Sequence, residues 1–271
     1  VQRLLKNDLD KIYPGLLLDD VPKHMNEFKD LSIADVRDFT NFLKQVNADI
    51  AILSINSFAK KTAIKYAVLL AEHQVSLINT TPIEIAWNDN ISKIFKVNNA
   101  GVIGDYIRGY VSFIDILSIL ERPLRTLGFD ISSLYILERR GGIEGFSSMR
   151  DKHMYIEKMR ELLLEIFTPL ETSYALDWKR FLKDDIINNI ILDLKNPLSS
   201  LELSISMKLN ESLLVALMLI DLIRALKIAI NNGYFGRIEE ICQYGFLFTK
   251  KHERDFFERI NAFKRFLSKF S

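Results

Sequence analysis

Two polar residues stand at the head of the most apolar segment of the chain. Glu211 and Ser212 precede eight consecutive apolar residues, 213–220, and Asp221 follows them. A hydroxyl and a carboxylate at a helix start satisfy free backbone N–H groups, and the helix dipole favours negative charge there. A helix start can also face a ligand, and the two roles are compatible. We therefore predict that Glu211 and Ser212 cap a buried helix whose N-terminus faces a ligand.

Two further pairs of residues lie at the ends of short apolar runs. Asn79 and Thr80 end one such run, and Gly104 with Asp105 ends the next. In an open parallel sheet, ligands bind beyond the carboxyl ends of the strands. A glycine there permits close approach of the backbone, and an aspartate accepts hydrogen bonds from hydroxyl or amide groups. We predict a ligand contact at these four residues, against the alternative that they are simple turns and caps.

Strands and helices alternate in the segment between residues 50 and 120. Short apolar runs predict buried strands, and the segments with helical spacing predict helices between them. In chain order the predicted elements are strand 50–55, helix 59–73, strand 75–80, helix 82–95, strand 100–105 and helix 109–120. This order is typical of a parallel sheet with right-handed crossovers.

A different pattern follows in residues 198–210. Apolar Leu203 and Ile205 alternate with polar Glu202 and Ser204, and a period of two is typical of an antiparallel sheet with one buried face and one wet face. We therefore predict an α/β protein in which a Rossmann-like parallel-sheet domain, incomplete at its N-terminus, carries an inserted α+β domain with an antiparallel sheet. The predicted boundaries are 1–108 for the Rossmann-like portion, 109–209 for the inserted domain and 210–271 for a helical return to the first domain.

The composition argues against several classes of function. The 271-residue chain has 36 basic and 35 acidic residues and a formal charge of +1, which argues against nucleic acid or an anionic membrane surface as its main partner. Cys242 is the only cysteine, so a disulfide framework is excluded and a reducing, cytoplasmic location fits best. The four histidines lack metal-ligand spacing, so we predict no metal site. No apolar run reaches the ~20 residues that span a bilayer.

Six short stretches stand in the order of the motifs of one enzyme family. They are LINTTP (77–82), GDYIR (104–108), GGIEGF (141–146), YALDWKR (174–180), ESLLV (211–215) and FLFTK (246–250). Their order and spacing over most of the chain resemble those of the inositol-phosphate synthases, NAD-dependent enzymes that convert glucose 6-phosphate to inositol phosphate. The resemblance implies an intramolecular lyase or isomerase of inositol and phospholipid biosynthesis, with a small sugar phosphate as its substrate.

The resemblance also implies roles for single residues. Lys179 and Lys250 would polarise a carbonyl oxygen or hold the substrate phosphate, with Lys158 as a third catalytic candidate. Asp177 and Gly142 would bind the substrate. The implied NAD contacts are Asn79, Thr80, Gly104, Asp105, Glu211 and Ser212. Lysines suit this chemistry because a fixed ammonium group stabilises a developing enolate, and burial beside other cations lowers a lysine pKa.

The sequence departs from the family at two motifs. It contains no G-x-G-x-x-G loop that could cradle a pyrophosphate, so we expect the first strand–helix–strand unit to lie upstream of Val1 or to be missing. The Ser-Lys-x-x-Ser-Lys motif of the family has no clean counterpart in residues 150–158. Three functions therefore stay open: an active synthase, a degenerate relative that keeps the fold and binds a nucleotide or a partner, and another NAD(P)-dependent oxidoreductase.

Assembly is a further implication of the resemblance. The family commonly forms oligomers through the antiparallel sheet of its middle region. We therefore expect a homo-oligomer, a tetramer or a dimer, with the alternating strand 200–209 at the interface.

Overall fold

The computed structural model of the protein describes residues 14–20, 33–142, 145, 149, 152–249 and 256–270. Of the predicted site residues, Lys250 lies outside these ranges. The chain divides into two compact units. The parallel-sheet unit comprises Val1–Tyr106 and Ala225–Cys242, and the mixed-sheet unit comprises Ile107–Arg224 and Gln243–Ser271.

The elements of the described residues follow in chain order. The helices are α1 (Val36–Val46), α2 (Lys60–Glu72), α3 (Asp89–Val97), α4 (Phe113–Thr126), α5 (Lys152–Phe167), α6 (Glu211–Asn231), α7 (Glu239–Gly245) and α8 (Phe256–Leu267). The strands are β1 (Ile50–Leu53), β2 (Ser76–Asn79), β3 (Gly101–Ile103), β4 (Asp130–Arg140), β5 (Glu171–Trp178), β6 (Asp185–Lys195), β7 (Ser200–Asn210) and β8 (Gly236–Arg237). Short 3₁₀ turns lie at Arg180–Leu182 and Ser268–Phe270.

The first sheet is entirely parallel and has the strand order β1-β2-β3-β8. β2 and β3 are buried along their whole length, as their apolar sequences predict. Between β1, β2 and β3 the chain crosses over through α2 and α3. The alternation of strand and helix predicted for this segment is therefore present, and the carboxyl ends of β2 and β3 lie side by side.

The helix predicted at 82–95 begins later than its sequence pattern indicates. Residues 82–88 are not helical, and α3 begins at Asp89 because the Asn88 side chain accepts hydrogen bonds from the backbone of the second and third helical residues. Backbone N–H groups of the preceding loop donate instead to the carboxylate of Asp105. A long-range contact thus keeps this segment a loop.

α4 also begins later than its predicted range of 109–120. The Ser112 side chain accepts a hydrogen bond from the backbone of Asp115, and the Asp115 carboxylate accepts one from the backbone of Ser112. This reciprocal capping box fixes the first helical residue at Phe113.

The second sheet has the strand order β5-β4-β6-β7. β4 pairs with β5 in parallel, whereas the pairings of β6 with β4 and with β7 are antiparallel. In β7, Leu203 and Ile205 lie opposite the buried Leu192 and Ile190 of β6, and the polar residues between them are exposed. The alternation in 198–210 therefore predicted an antiparallel strand with one covered face correctly.

Two kinds of feature are absent from the described residues. Within those ranges, no helix has both the length and the apolar character needed to cross a membrane. In the same part of the chain, His, Cys, Asp and Glu side chains form no group of three that could hold a metal ion.

Candidate functional site

Asp105 ties together the strand ends of the parallel-sheet unit. Its Oδ1 accepts hydrogen bonds from the Asn79 side-chain amide at 2.7 Å and from the Ala86 backbone at 3.0 Å. Its Oδ2 accepts from the backbone of Ile85 at 2.9 Å and of Trp87 at 3.4 Å. Both carboxylate oxygens are therefore engaged within the chain, and a cofactor hydroxyl would have to displace one of these donors to reach Asp105.

The environment of Asp105 also shifts its acidity. Asp105 is 1% exposed, and burial raises its pKa to about 6, against the opposing effect of the hydrogen bonds that it accepts. The ionised carboxylate is thus held in place at neutral pH by N–H donors.

The other predicted contacts of this unit lie beside Asp105. The Thr80 hydroxyl donates to the carbonyl of Leu53 at 2.9 Å. A Cβ atom on Gly104 would come within 3.0 Å of the Asn79 Cβ atom, so glycine is needed there for packing within the chain. The structure therefore brings Asn79, Thr80, Gly104 and Asp105 together, and their contact with NAD stays a prediction.

These strand ends offer few groups that could bind a pyrophosphate. No glycine-rich loop follows β1, β2 or β3 in the sequence, and the side chains of Asn79, Thr80 and Asp105 are already hydrogen-bonded within the chain. Among the described residues of this unit, the strand ends do not fit the pyrophosphate of NAD.

The mixed-sheet unit contains a pocket of its own. The pocket has a volume of about 90 Å³, which suits a few water molecules or a small oxyanion. Its walls are formed by Arg140, Gly141, Gly142, Gly145, Lys183, Asp184, Asp185, Ile186, Glu211 and Ser212. Three predicted site residues from two different motifs, Gly142, Glu211 and Ser212, therefore line one pocket.

The glycines let two chain segments approach each other at this pocket. A Cβ atom on Gly141 would overlap the main chain of Lys183, and Gly142 has a φ of +65°, which glycine adopts without strain. The Trp178 side chain donates to the carbonyl of Gly142 at 2.9 Å, and the backbone of Lys179 donates to that of Arg140 at 2.9 Å. The end of β4 is thus fastened to the turn that follows β5.

Lys183 has a strained backbone at the pocket wall. Its φ is +51° and its ψ is −112°, a combination that side chains with a Cβ atom rarely adopt. Such a conformation costs about 1–3 kcal/mol and persists only where the surrounding contacts enforce it. Here the close packing of Gly141 against the main chain of Lys183 provides those contacts.

A buried charged network lies behind the pocket. The Arg140 guanidinium pairs with Glu138 through Nε and donates to the Tyr155 hydroxyl at 2.9 Å. The Tyr174 hydroxyl donates to the other oxygen of Glu138 at 2.7 Å. On its outer side, the same guanidinium meets the carboxylate of Glu211 at 3.5 Å. Arg140 therefore stands between a buried carboxylate and one at the pocket.

Tyr174 keeps its proton in this network. Burial raises the pKa of its hydroxyl well above the ordinary value, and the neighbouring charge of Glu138 raises it further. The hydroxyl therefore remains a donor to Glu138 at neutral pH and helps to fix the carboxylate that holds Arg140.

The start of α6 differs in detail from its prediction. The side chain of Asn210 accepts a hydrogen bond from the backbone of Leu213 at 3.0 Å, so Asn210 supplies the capping oxygen predicted at Ser212. The backbone of Glu211 donates to the carbonyl of Asp184 at 3.2 Å. This leaves the Glu211 carboxylate for the guanidinium at the pocket.

Two of the three predicted catalytic lysines lie in the described part of the chain. Lys179 pairs with Asp177 at 3.0 Å, and both side chains are partly exposed. The ammonium group of Lys158 lies 5.0 Å from the ring centroid of Phe248, which indicates a cation–π contact. Lys250 lies outside the described residues. The structure joins Asp177 to Lys179, and the catalytic roles stay predictions.

Solved structures match this chain, although no family model and no curated protein does. A myo-inositol-1-phosphate synthase-related protein from Thermotoga maritima is similar with a TM-score of 0.75 and 15% identity, over 98% of this chain and 81% of that one. Inositol-3-phosphate synthase from Caenorhabditis elegans is similar with a TM-score of 0.70 and 12% identity, over 99% and 63% of the two chains. The chain has the fold of the inositol-phosphate synthases. A third structure, Ari2, has a TM-score of 0.67 and 19% identity, over 89% and 70%.

The likeness confirms the predicted fold class. The synthase fold here consists of a Rossmann-like parallel sheet and a second, mixed sheet in a separate unit. The chain spans 63% of the length of the Caenorhabditis elegans synthase. At these identities the similarity concerns the fold, and a fold does not by itself determine the reaction.

Sequence reasoning missed the network around Arg140. Glu138 and Arg140 lie two residues apart in β4 and share the face on which Leu134 and Ile136 are buried. Strand residues spaced by two face the same side, so two charges among inward-facing apolar residues were a detectable signal. Tyr155 and Tyr174, which complete the network, lie in separate elements and gave no such signal.

Proposed function

We propose that the chain is a divergent inositol-phosphate synthase that converts glucose 6-phosphate to inositol 1-phosphate with NAD. The observation that carries the proposal is the meeting of Gly142, Glu211 and Ser212 at one pocket. These residues belong to two motif stretches that are distant in sequence, and they line this pocket in a chain with the synthase fold. Ligand sites are concave and carry a few convergent polar groups.

The proposed reaction assigns tasks to residues of this chain. Bound NAD would supply hydride transfer from the substrate and back to it. The Lys179 ammonium, with Lys158 and Lys250 as further candidates, stabilises negative charge on the substrate oxygen during enolisation. Asp177, which pairs with Lys179 at 3.0 Å, orients that ammonium and accepts hydrogen bonds from substrate hydroxyls. Glu211 and Ser212, at the start of α6, would hold the nicotinamide side of NAD.

Product formation tests the proposal directly. The purified protein is incubated with NAD and glucose 6-phosphate, and inositol phosphate is measured by ³¹P NMR. We expect product from the wild-type chain and a loss of about 100-fold or more in rate for Lys179→Ala, because a positioned charge at a developing oxyanion has effects of this size. Lys195→Ala, at an exposed end of β6, is the matched control. Turnover that is unchanged in Lys179→Ala would refute the role of Lys179, and absence of product would refute the proposed reaction.

A degenerate relative that binds a nucleotide or a partner without turnover is the second candidate. The engaged oxygens of Asp105 favour it, as does the missing counterpart of the family's Ser-Lys-x-x-Ser-Lys motif. Calorimetric titration with NAD separates the two candidates when it is combined with the product assay. Binding without product supports the second candidate, whereas reduction of NAD by a different polyol points to another NAD(P)-dependent oxidoreductase.

We further propose a cytoplasmic homo-oligomer, a tetramer or a dimer, that assembles through β7. This strand lies at the edge of the mixed sheet and runs from Ser200 to Asn210. Long sheet edges have unpaired backbone groups that favour association. Light scattering tests the proposal, and a monomer at micromolar concentration would contradict it.

A further inference from the structure

Arg140 is a preorganised cation in the wall of the mixed-sheet pocket. Its side chain is 7% exposed, yet the residue lines the pocket. The buried Glu138 and the Tyr155 hydroxyl hold the inner side of the guanidinium, and Tyr174 holds Glu138. Contacts on the buried side therefore hold the guanidinium in its orientation. A change at the pocket would leave these contacts in place.

The contact of Arg140 with Glu211 is of a different kind. Both guanidinium-to-carboxylate distances are 3.5 Å, whereas strong charge-assisted N–H···O bonds measure about 2.7–2.9 Å. The Glu211 side chain is 34% exposed and stands in the first turn of α6, where the helix dipole also stabilises a carboxylate. The pairing of Arg140 with Glu211 is therefore looser than its pairing with Glu138.

The remaining charges around the pocket are mixed. Lys183 contributes a second cation to the wall, and Asp184 and Asp185 contribute carboxylates. Lys208 hydrogen-bonds to Asp185 at 2.8 Å and keeps the pKa of Asp185 below its ordinary value. Asp185 is paired to Lys208 and Asp184 stands elsewhere in the wall, whereas the Glu211 carboxylate faces Arg140 and is the anion that an oxyanion bound to Arg140 would replace.

We propose that Arg140 binds an oxyanion in this pocket and that Glu211 is an internal occupant which the oxyanion displaces. The class of ligand is a phosphate monoester or inorganic phosphate, whose planar O–P–O edge matches the two parallel N–H groups of a guanidinium. The inference deepens the proposed function, since a sugar phosphate is the substrate proposed for the same site. Binding of inorganic phosphate itself requires neither NAD nor turnover.

The test is a calorimetric titration with inorganic phosphate at constant ionic strength in the absence of NAD. Glu211→Gln keeps the shape of the side chain and removes the competing charge. We expect this variant to bind phosphate about tenfold more tightly than the wild-type chain, the equivalent of about 1.4 kcal/mol. Glu202→Gln, at an exposed position of β7, removes the same charge elsewhere and should leave the affinity within about twofold because exposed charges are screened.

Arg140→Lys supplies the complementary measurement. Lysine keeps the charge but lacks the two-pronged donor geometry, so phosphate should bind at least about tenfold more weakly. Circular dichroism checks that this variant is folded, and Glu211→Gln carries the test alone if it is not. If Glu211→Gln binds phosphate no more tightly than the wild-type chain does, the inference is overturned. It is also overturned if the wild-type chain binds neutral inositol more tightly than Glu211→Gln does.

This outcome is separable from that of the proposed function. If phosphate binds as expected and no inositol phosphate is formed, the oxyanion site stands and the reaction is wrong. If product is formed and Glu211→Gln does not improve phosphate binding, the reaction stands and the displacement is wrong.

Discussion

The side-chain amide of Asn79 donates a hydrogen bond of 2.7 Å to the carboxylate of Asp105. Asn79 is the last residue of β2, and Asp105 follows the neighbouring parallel strand β3, so this bond joins two strand ends that are distant in sequence. The same carboxylate also orders the loop before α3 through backbone donors. Asp105 is therefore a structural centre of the parallel-sheet unit, whatever its role toward a cofactor.

We expect Asp105→Asn to lower the free energy of unfolding by about 3 kcal/mol, because both carboxylate oxygens accept N–H donors and an amide would turn its own donors toward them. Urea denaturation measures the change. Asp130→Asn is the control, since the Asp130 side chain is 84% exposed and should change stability by less than about 0.5 kcal/mol. An Asp105→Asn variant as stable as this control would show that the network is dispensable.

The pH dependence of stability should contain a contribution from Asp105. Its pKa is about 6 in the folded chain, above the ordinary 3.8, so the folded state holds the proton more tightly than the unfolded state. The contribution to stability is full below pH 3.8 and is lost as the pH rises through 6. Between pH 4 and 7.5, the wild-type chain should lose about 2 kcal/mol that Asp105→Asn does not lose. Parallel curves for the two proteins would contradict the raised pKa.

Gly141→Ala should disrupt the pocket of the mixed-sheet unit. The added Cβ atom would overlap the main chain of Lys183, and overpacking against backbone costs about 3 kcal/mol where neither segment can move. Thermal unfolding measures the loss. Gly128→Ala is a useful comparison, because a Cβ there meets no atom within 4 Å and only its φ of +80° is unfavourable, at a cost of about 1 kcal/mol. Equal losses in the two variants would exclude the overlap.

Lys183→Gly should stabilise the protein by about 1 kcal/mol. Glycine removes the strain of the positive φ, and this gain exceeds the entropy that glycine adds to the unfolded chain. Lys183→Ala removes the same charge but retains the strain, so it separates the two effects. The denaturant midpoints of the wild-type chain, Lys183→Gly and Lys183→Ala distinguish the effect of strain from that of charge. If the alanine and glycine variants are equally stable, Lys183 is not strained.

The sequence by itself determined the local elements of this protein. Apolar runs predicted β2 and β3 because buried parallel strands exclude polar side chains, and the alternation in 198–210 predicted β7 because a sheet with one covered face imposes a period of two. The motif order also predicted the synthase fold. These features depend on patterns of residues that are close in the sequence, so a single sequence is enough to predict them.

Only the tertiary structure decided which distant groups meet. β8 consists of Gly236 and Arg237, which carry no strand pattern and become a strand because they pair with Gly101 and Val102. The loop before α3 is not helical as predicted, because its backbone donates hydrogen bonds to Asp105. Arg140 and Glu211 are distant in sequence and meet at one pocket. Such contacts depend on the path of the whole chain, and no local periodicity encodes them.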